Sequence, residues 1–293
     1  MYRYINLYHI YYIIMPSECF IFSSDSKNGA FNKSVDGSRF SIQMNEPFFL
    51  PPNAYNARLS VIQASIWNNS PNISSALNNN KFVLYDSNGT HTVYVQDGLY
   101  DIDSLYSQLA FQFDNLQFNR PFFPFREYFS FSGNESTNRL YITYLNSGQT
   151  GAPEIKWADS TITATLGFLP SSPTKPSNPY TPSHEFSLES PNTPRFNAYN
   201  SFVLHSDLVN AGIRINDSFD QIIAQIPITS NVGELTMFKA TAPQVACLCN
   251  NLIGPQSARW NFEFWLTSET GVPLDTRGEN YDFIVEIDWL ESD

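Results

Sequence analysis

This chain of 293 residues has few charged side chains. Asp, Glu, Lys and Arg together make up 15% of its residues, against roughly 25% in typical soluble domains. Phe, Tyr and Trp alone account for another 15%. Protein interfaces are depleted in charge and enriched in aromatic side chains, so this composition favours a chain that is surrounded by other protein. An aromatic-rich β core would give the same composition, because strands also favour aromatic residues.

Basic residues are fewer than acidic residues. The chain has 16 Lys and Arg against 28 Asp and Glu, which gives a net charge of -12. The arginines are scattered singly, and no Lys or Arg cluster could form a local basic stripe. Phosphate backbones would therefore be repelled, and we predict no direct binding of nucleic acid.

Cysteine and histidine are also rare. The three cysteines, Cys19, Cys247 and Cys249, are an odd number and do not suggest a disulfide framework. Cys247 and Cys249 are two residues apart in an apolar run, which predicts that they share one face of a strand. No further Cys or His follows at the spacing of a zinc site, so we predict no metal and no cofactor.

Catalytic motifs are missing as well. The four histidines, His9, His91, His184 and His205, stand outside any recognisable motif. The chain lacks G-x-S-x-G, H-E-x-x-H, a P-loop and G-x-G-x-x-G, so hydrolase, metalloprotease, NTPase and dinucleotide-binding functions have no local support. We therefore expect a protein that is not an enzyme and has no catalytic residues.

Paired carboxylates are the one catalytic pattern that needs a direct check, since two of them across a cleft can hydrolyse a sugar bond. The candidates are Glu263, Glu286 and Asp288. Strand alternation places Glu286 and Asp288 opposite the apolar face of the last strand, where solvated carboxylates are ordinary. The sequence therefore favours a structural role for all three.

A second acidic group, Asp97, Asp101 and Asp103, could suggest calcium. The spacing of an EF-hand and its closing Glu are absent. Capping of the following helix accounts for Asp103. We therefore predict no calcium site here.

The first 14 residues are apolar and aromatic but too short to span a bilayer, and Arg3 and His9 interrupt them. They also lack the small-residue cleavage site of a signal peptide. We expect residues 1–19 to be a leader or arm, with Met15 as the natural start, and no membrane span.

Alternating apolar and polar residues, bounded by turn residues, dominate the chain and predict an all-β fold. An Asn88-Gly89 step within one pair of runs predicts a tight hairpin. The strands predicted in this way are residues 39–44, 57–67, 81–86, 91–96, 139–145, 201–208, 221–228, 234–240, 258–269 and 281–290.

Two segments have the sequence features of a helix, and a third has features that exclude a helix. Residues 101–113 have an apolar stripe and a cap at Asp103 or Ser104. Residues 159–168 have Ser160 as a cap and Gly167 at the left-handed C-terminal position. Residues 170–198 are dense in Pro and Ser, which predicts a long surface loop or an extended arm.

Six segments, taken in order along the chain, form a pattern of strands, turns and helices. An extended strand, a Pro-rich step and a strand ending in an aromatic residue open the pattern, and a Gly-aromatic turn leads into a short helix. A later helix ends in Leu-Gly-Phe, and a turn with Thr-Gly-Val-Pro precedes the last strand. The segments are residues 40–74, 96–109, 158–168, 201–210, 222–228 and 261–289. Together they resemble the penton, or minor capsid, proteins of virophages and Polinton-type viruses, although the acidic residues of the last strand depart from the family pattern.

The resemblance implies a single jelly-roll β-sandwich with an α+β insertion. The sandwich would comprise residues 20–67 and 199–293, and the insertion residues 68–198 with its Pro-rich loop. It also implies a homopentamer at the five-fold vertex of an icosahedral virion, in contact with the major capsid protein and assembled in the host cytoplasm.

Two other functions remain open from the residues. A lectin-like module that binds a glycan or receptor is one, because an exposed Trp such as Trp265 suits sugar stacking. A carbohydrate-active enzyme on the same fold is the other, and it would depend on Glu263, Glu286 or Asp288.

Overall fold

The structure, a computed structural model, describes residues 16–86, 88–116, 124–145, 153–174, 186–197, 199–212, 221–242, 244–248 and 252–292. The chain divides into two compact units. The sandwich unit comprises Met1–Asn68 and Asn200–Asp293, and the inserted unit comprises Asn69–Tyr199.

The elements of the described residues are mostly strands. Two α-helices, α1 (Ile102–Asn115) and α2 (Phe125–Tyr128), both belong to the inserted unit. The strands are β1 (Ser17–Ser23), β2 (Ala30–Phe31), β3 (Arg39–Phe48), β4 (Ala54–Trp67), β5 (Lys81–Asp86), β6 (Gly89–Tyr94), β7 (Phe129–Asn134), β8 (Arg139–Tyr144), β9 (Glu154–Ile155), β10 (Phe186–Glu189), β11 (Ser201–Ser206), β12 (Val209–Ala211), β13 (Ile222–Pro227), β14 (Leu235–Lys239), β15 (Val245–Leu248), β16 (Arg259–Ser268) and β17 (Asp282–Glu291).

The sandwich unit is built from two antiparallel sheets. The first sheet has the order β1-β17-β4-β15-β12, and β14 also pairs with β4. The second sheet has the order β13-β11-β16-β3-β2. Strands far apart in the chain are neighbours in both sheets, as in a jelly roll, so the predicted all-β, jelly-roll-like fold class is confirmed.

Aromatic side chains fill the space between these sheets. Phe264 of the second sheet lies with its ring centroid 4.6 Å from that of Phe22 and 4.9 Å from that of Phe283, both in the first sheet. Phe40 packs on Phe264 at 5.6 Å and on Tyr281 at 5.4 Å. All five side chains are buried, so the alternation of the strands places one apolar face of each sheet in a shared core.

The inserted unit has its own core and two smaller sheets, β6-β5-β9 and β10-β8-β7. The rings of Phe113 and Phe125 stack at 5.2 Å, and those of Trp157 and Phe168 at 4.1 Å. Phe82 contacts both groups and is fully buried. This unit is therefore α+β and aromatic at its centre.

The predicted hairpin forms, with its turn one residue earlier than the Asn88-Gly89 step suggests. The ladder of β5 and β6 pairs Asp86 with Gly89, so Gly89 already belongs to the return strand. Its φ of +121° lies in a region that glycine adopts readily. The backbone N–H of Asn88 donates to Asp86 at 2.7 Å and supports the turn.

Helix α1 is present, but its predicted cap is wrong. Asp101 is the N-cap, and its side chain accepts a hydrogen bond from the backbone N–H of Ser104 at 2.8 Å. The Ser104 hydroxyl accepts one in return from the N–H of Asp101, which completes a capping box. Asp103 lies in the first turn and does not cap.

We expect Asp101→Ala to lower the free energy of unfolding by about 0.5–2 kcal/mol, because it leaves N-terminal helix N–H groups without an acceptor. Urea unfolding of the full chain measures this. Asp103→Ala removes only a charge near the helix N-terminus and should cost less than about 1 kcal/mol. A larger loss for Asp103→Ala than for Asp101→Ala would contradict the capping assignment.

The second predicted helix is shorter than expected. Only Thr161–Thr163 form a helical turn, of the 3-10 type, and turns follow up to Gly167. The Ser160 hydroxyl does not cap this turn; it donates to the Lys156 carbonyl and accepts from the Val83 N–H. Gly167 adopts the predicted left-handed conformation, with φ of +79°.

The Pro-rich segment is not entirely a loop. Its residues 186–189 form β10, which pairs with β8 in register from Phe186–Tyr144 to Glu189–Tyr141. Four residues free of proline are enough for this pairing, and the remaining prolines lie outside the strand. Residues 175–185 and 198 of the predicted loop lie outside the described residues.

Candidate interaction surfaces

The outer face of the first sheet carries an apolar patch that does not belong to the core. Leu235 of β14 pairs directly with Trp67 of β4, and Met237 pairs with Ser65. The exposed fractions of Leu235, Trp67 and Met237 are 37%, 38% and 67%. Successive side chains of a strand point to opposite faces. Because Thr236 is buried, Leu235 and Met237 on either side of it point outward. We call Trp67, Leu235 and Met237 the apolar patch.

Acidic residues share this outer face. Asp282 pairs with Ser65, and Glu286 and Asp288 follow at alternate positions of β17. Asp288 lies opposite Arg58 of β4. The face is therefore mixed, with the apolar patch toward β14 and carboxylates along β17.

Asp288 is a carboxylate of this face whose pKa is shifted from its ordinary value. Burial raises its pKa, Arg58 acts in the opposite direction, and the charge of Glu286 adds a further rise, so the pKa of Asp288 is raised overall. Its Oδ1 is buried and accepts no hydrogen bond from the described residues. The ionised side chain is consequently held in a place that disfavours its charge.

We expect Asp288→Asn to stabilise the fold at pH 7. Because the pKa of Asp288 in the folded state is raised above its ordinary 3.8, the folded chain binds the proton more tightly, and ionisation destabilises it at higher pH. The gain should shrink as pH falls through the raised pKa and disappear below 3.8. Urea unfolding across pH measures it, with the exposed Asp282→Asn as control. An equal gain for both variants would contradict the assignment.

Trp265 lies on the outer face of the second sheet and is half-buried rather than open. The His205 ring, from β11 on one side, stacks on it at 5.1 Å between centroids and 10° between planes. The Arg39 guanidinium, from β3 on the other side, lies 4.9 Å from the ring centroid. Since protein groups from both neighbouring strands pack on the indole, it is poorly placed to stack on a sugar.

The three candidate catalytic carboxylates do not converge. Glu263 lies on β16 of the second sheet, where it forms an ion pair with Arg39 at 3.3 Å. Glu286 and Asp288 lie on β17 of the first sheet. The outer faces of the two sheets point away from each other, so Glu263 cannot act across a cleft with the other two.

The remaining candidates for catalysis or metal binding are the other histidines, the cysteines and the acidic group around Asp97. His91 contacts Asp86 at 2.9 Å, and Asp97 accepts two hydrogen bonds from Ser75. Cys19 is exposed on β1. Within the described ranges, no three His, Cys, Asp or Glu side chains are grouped as metal ligands. His9, His184 and Cys249 lie outside the described residues, whereas Cys247 lies on β15.

A groove of about 600 Å³ opens between β1 and β3 of the sandwich unit. Its apolar lining comes from Phe20 and Phe22 on β1 and from Ile42 and Met44 on β3. The polar residues Gln43, Asn45 and Glu46 complete the β3 side. The groove is thus an opening between one strand of each sheet.

Known structures resemble this chain in fold. It is similar to the crystal structure of the mavirus penton protein, with a TM-score of 0.51 and 10% sequence identity over 94% of this chain and 100% of that chain. The chain has the fold of a penton protein. A chain from the cryo-EM structure of the Sputnik virophage also aligns, with a TM-score of 0.45 and 15% identity over 94% and 98% of the two chains. No family model and no curated protein matches the sequence.

The penton-protein resemblance read from the sequence is therefore confirmed for the fold. Sequence reasoning did not identify the apolar patch or the groove. The sequence of β14 contained the evidence for the patch. Apolar residues occur at both the odd-numbered and the even-numbered positions of this strand, so those on one of its two faces must point away from the core. No helix in the described part of the chain has the length and apolar composition needed to cross a membrane.

Proposed function

We propose that this chain is a structural capsid protein that forms a homopentamer at the five-fold vertex of an icosahedral virion. The observation that carries the proposal is a fold with a jelly-roll-like sandwich, in which 94% of this chain aligns with the whole length of a penton protein. In this role the chain contacts the major capsid protein, acts without catalysis, and is assembled into the virion in the host cytoplasm.

The surface of the sandwich unit supports an assembly role. A ring of identical subunits needs two different, complementary surfaces on each copy. The apolar patch provides Trp, Met and Leu side chains that are exposed in a single subunit, and aromatic residues and Met are enriched at interfaces. The shortage of charge in the chain as a whole agrees with extensive burial against neighbours.

The two units have different parts in this proposal. Residues 20–67 and 199–293 supply the wedge that repeats around the five-fold axis. Residues 68–198, with the Pro-rich segment 170–198 that includes β10, form an elaboration of that wedge. The separate aromatic core of the inserted unit supports this division, because each part can keep its own packing.

Light scattering of the full chain, over a range of protein and salt concentrations, tests the proposal. The expected species has five times the 33.3 kDa subunit mass. Added salt should favour it, because screening weakens repulsion between copies that each carry a charge of -12. Electron microscopy of the same sample should show five-fold rings. Monomers under every condition, together with virions that lack this chain at their vertices, would overturn the proposal.

A further inference from the structure

The groove between β1 and β3 has two unpaired strand edges as its walls. At both ends of β1, the even-numbered residues Pro16 and Ser24 make the backbone hydrogen bonds toward the β17 side. Because these directions alternate along a strand, Cys19, Ile21 and Ser23 direct their backbone groups away from β17. Among the described residues, no strand pairs with that edge of β1.

The β3 wall is open for a different reason. Strand β2 pairs only with Ser41 and Ile42 of β3. The segment from Gln43 to Glu46 therefore has no strand neighbour on that side in the described part of the chain. An exposed strand edge is a template for pairing with another segment, and here it lies beside an apolar floor.

Glu46 lines the groove, and Glu18 lies on β1 just before the residues that line its other wall. Glu18 follows the alternation of Phe20 and Phe22, and Glu46 follows that of Ile42 and Met44. Neither carboxylate has an ion-pair partner within the described ranges. The groove therefore suits an extended segment with alternating apolar side chains and a positive charge.

We propose that the groove of one copy receives residues 1–15 of a second copy as an added β-strand. These residues include five Tyr and four Ile, which favour strands, and they contain no Pro or Gly. In a chain of net charge -12 they contain no Asp or Glu and carry Arg3. Their composition and charge complement the groove, and this inference rests on the self-association proposed above.

The length of the segment is sufficient for exchange between copies. Fifteen extended residues span about 50 Å. They lead directly to Pro16 and β1, which forms one wall of the groove. In each copy, the donated segment would therefore start beside the groove that accepts the segment of another copy. This arrangement would link neighbours by main-chain hydrogen bonds in addition to the contacts of the apolar patch.

Photo-cross-linking of the full chain tests the proposal. Tyr8 is replaced with p-benzoylphenylalanine, and ¹⁵N-labelled and unlabelled copies are mixed before irradiation. The expected products join position 8 of one copy to residues 20–23 or 42–46 of another and show hybrid isotope masses. Cross-links confined to one copy, or directed elsewhere, would overturn the proposal.

A backbone variant gives an independent measurement. Ile21→Pro removes a backbone N–H that points toward the groove and not toward β17. The sheet itself should therefore tolerate the substitution. The hybrid cross-link should fall by roughly two- to tenfold, the equivalent of one hydrogen bond. Ile21→Thr keeps the N–H and the β-branched shape, and should leave the yield within about twofold. Equal yields for the two variants would contradict strand addition.

Failure of this inference is separable from failure of the proposed function. Pentamers without the hybrid cross-link would overturn only the strand addition, whereas monomers under every condition, together with virions that lack this chain at their vertices, would overturn the pentamer as well. The intact mass of the protein from its native source decides between this proposal and the expected start at Met15. A mass that begins at Met15 would overturn the strand addition.

Discussion

Phe264→Ala is expected to lower the free energy of unfolding of the sandwich unit by about 3–5 kcal/mol, the usual cost of deleting a buried Phe side chain. Phe264 is fully buried, and its ring contacts Phe22 and Phe283 across the two sheets and Phe40 within its own sheet. Each such aromatic pair contributes beyond its buried area. Truncation would leave a cavity at the point where the two sheets meet, since the surrounding rings cannot collapse into it without disturbing the strands.

Urea unfolding followed by tryptophan fluorescence measures this loss. Val35→Ala is the matched control, because Val35 is fully exposed and its truncation should change stability by less than about 0.5 kcal/mol. A loss for Phe264→Ala that is no larger than that of the control would show that the two sheets do not share this core.

The sequence predicted the strands of the sandwich well because alternation is a local signal. In β17, Phe283, Val285, Ile287 and Trp289 occupy alternate positions, and all four are buried. The pairing of these strands is not local. Strand β3 pairs with β16, more than two hundred residues later, and no periodicity specifies that choice.

The errors have identifiable physical causes. Asp101, Asp103 and Ser104 all qualify as helix caps by residue type, and only the backbone geometry selects Asp101. Residues 159–168 contain β-branched residues that disfavour a longer helix, and a single 3-10 turn forms. Strand β10 was hidden by the prolines around it, because its formation depends on β8 and not on its own neighbours.

The candidate surfaces were less predictable than the fold. Alternation shows that a strand has two faces, but not which apolar face remains uncovered after the sheets pack. Leu235 and Met237 became a surface feature only because β14 pairs with β4 at Trp67. The groove likewise depends on β2 ending after two residues, which leaves part of β3 without a neighbour.

If the apolar patch lies in the interface between copies, Met237→Asp should prevent assembly while leaving the subunit folded. Met237 is 67% exposed, so its replacement costs the isolated subunit little. Within an interface the new carboxylate would be buried without a partner, in addition to the lost contact. Such central positions typically cost at least about 2 kcal/mol, which is roughly a thirtyfold weaker contact at each interface of a ring.

Light scattering at matched concentrations measures this change, and circular dichroism checks that the subunit remains folded. Val35→Asp adds the same charge at an exposed position outside the patch and should assemble as the unmodified chain does. Normal pentamers from Met237→Asp would remove the patch from the interface between copies. The same patch would then be available to the major capsid protein, and binding of the Met237→Asp pentamer to shells of that protein should be reduced instead.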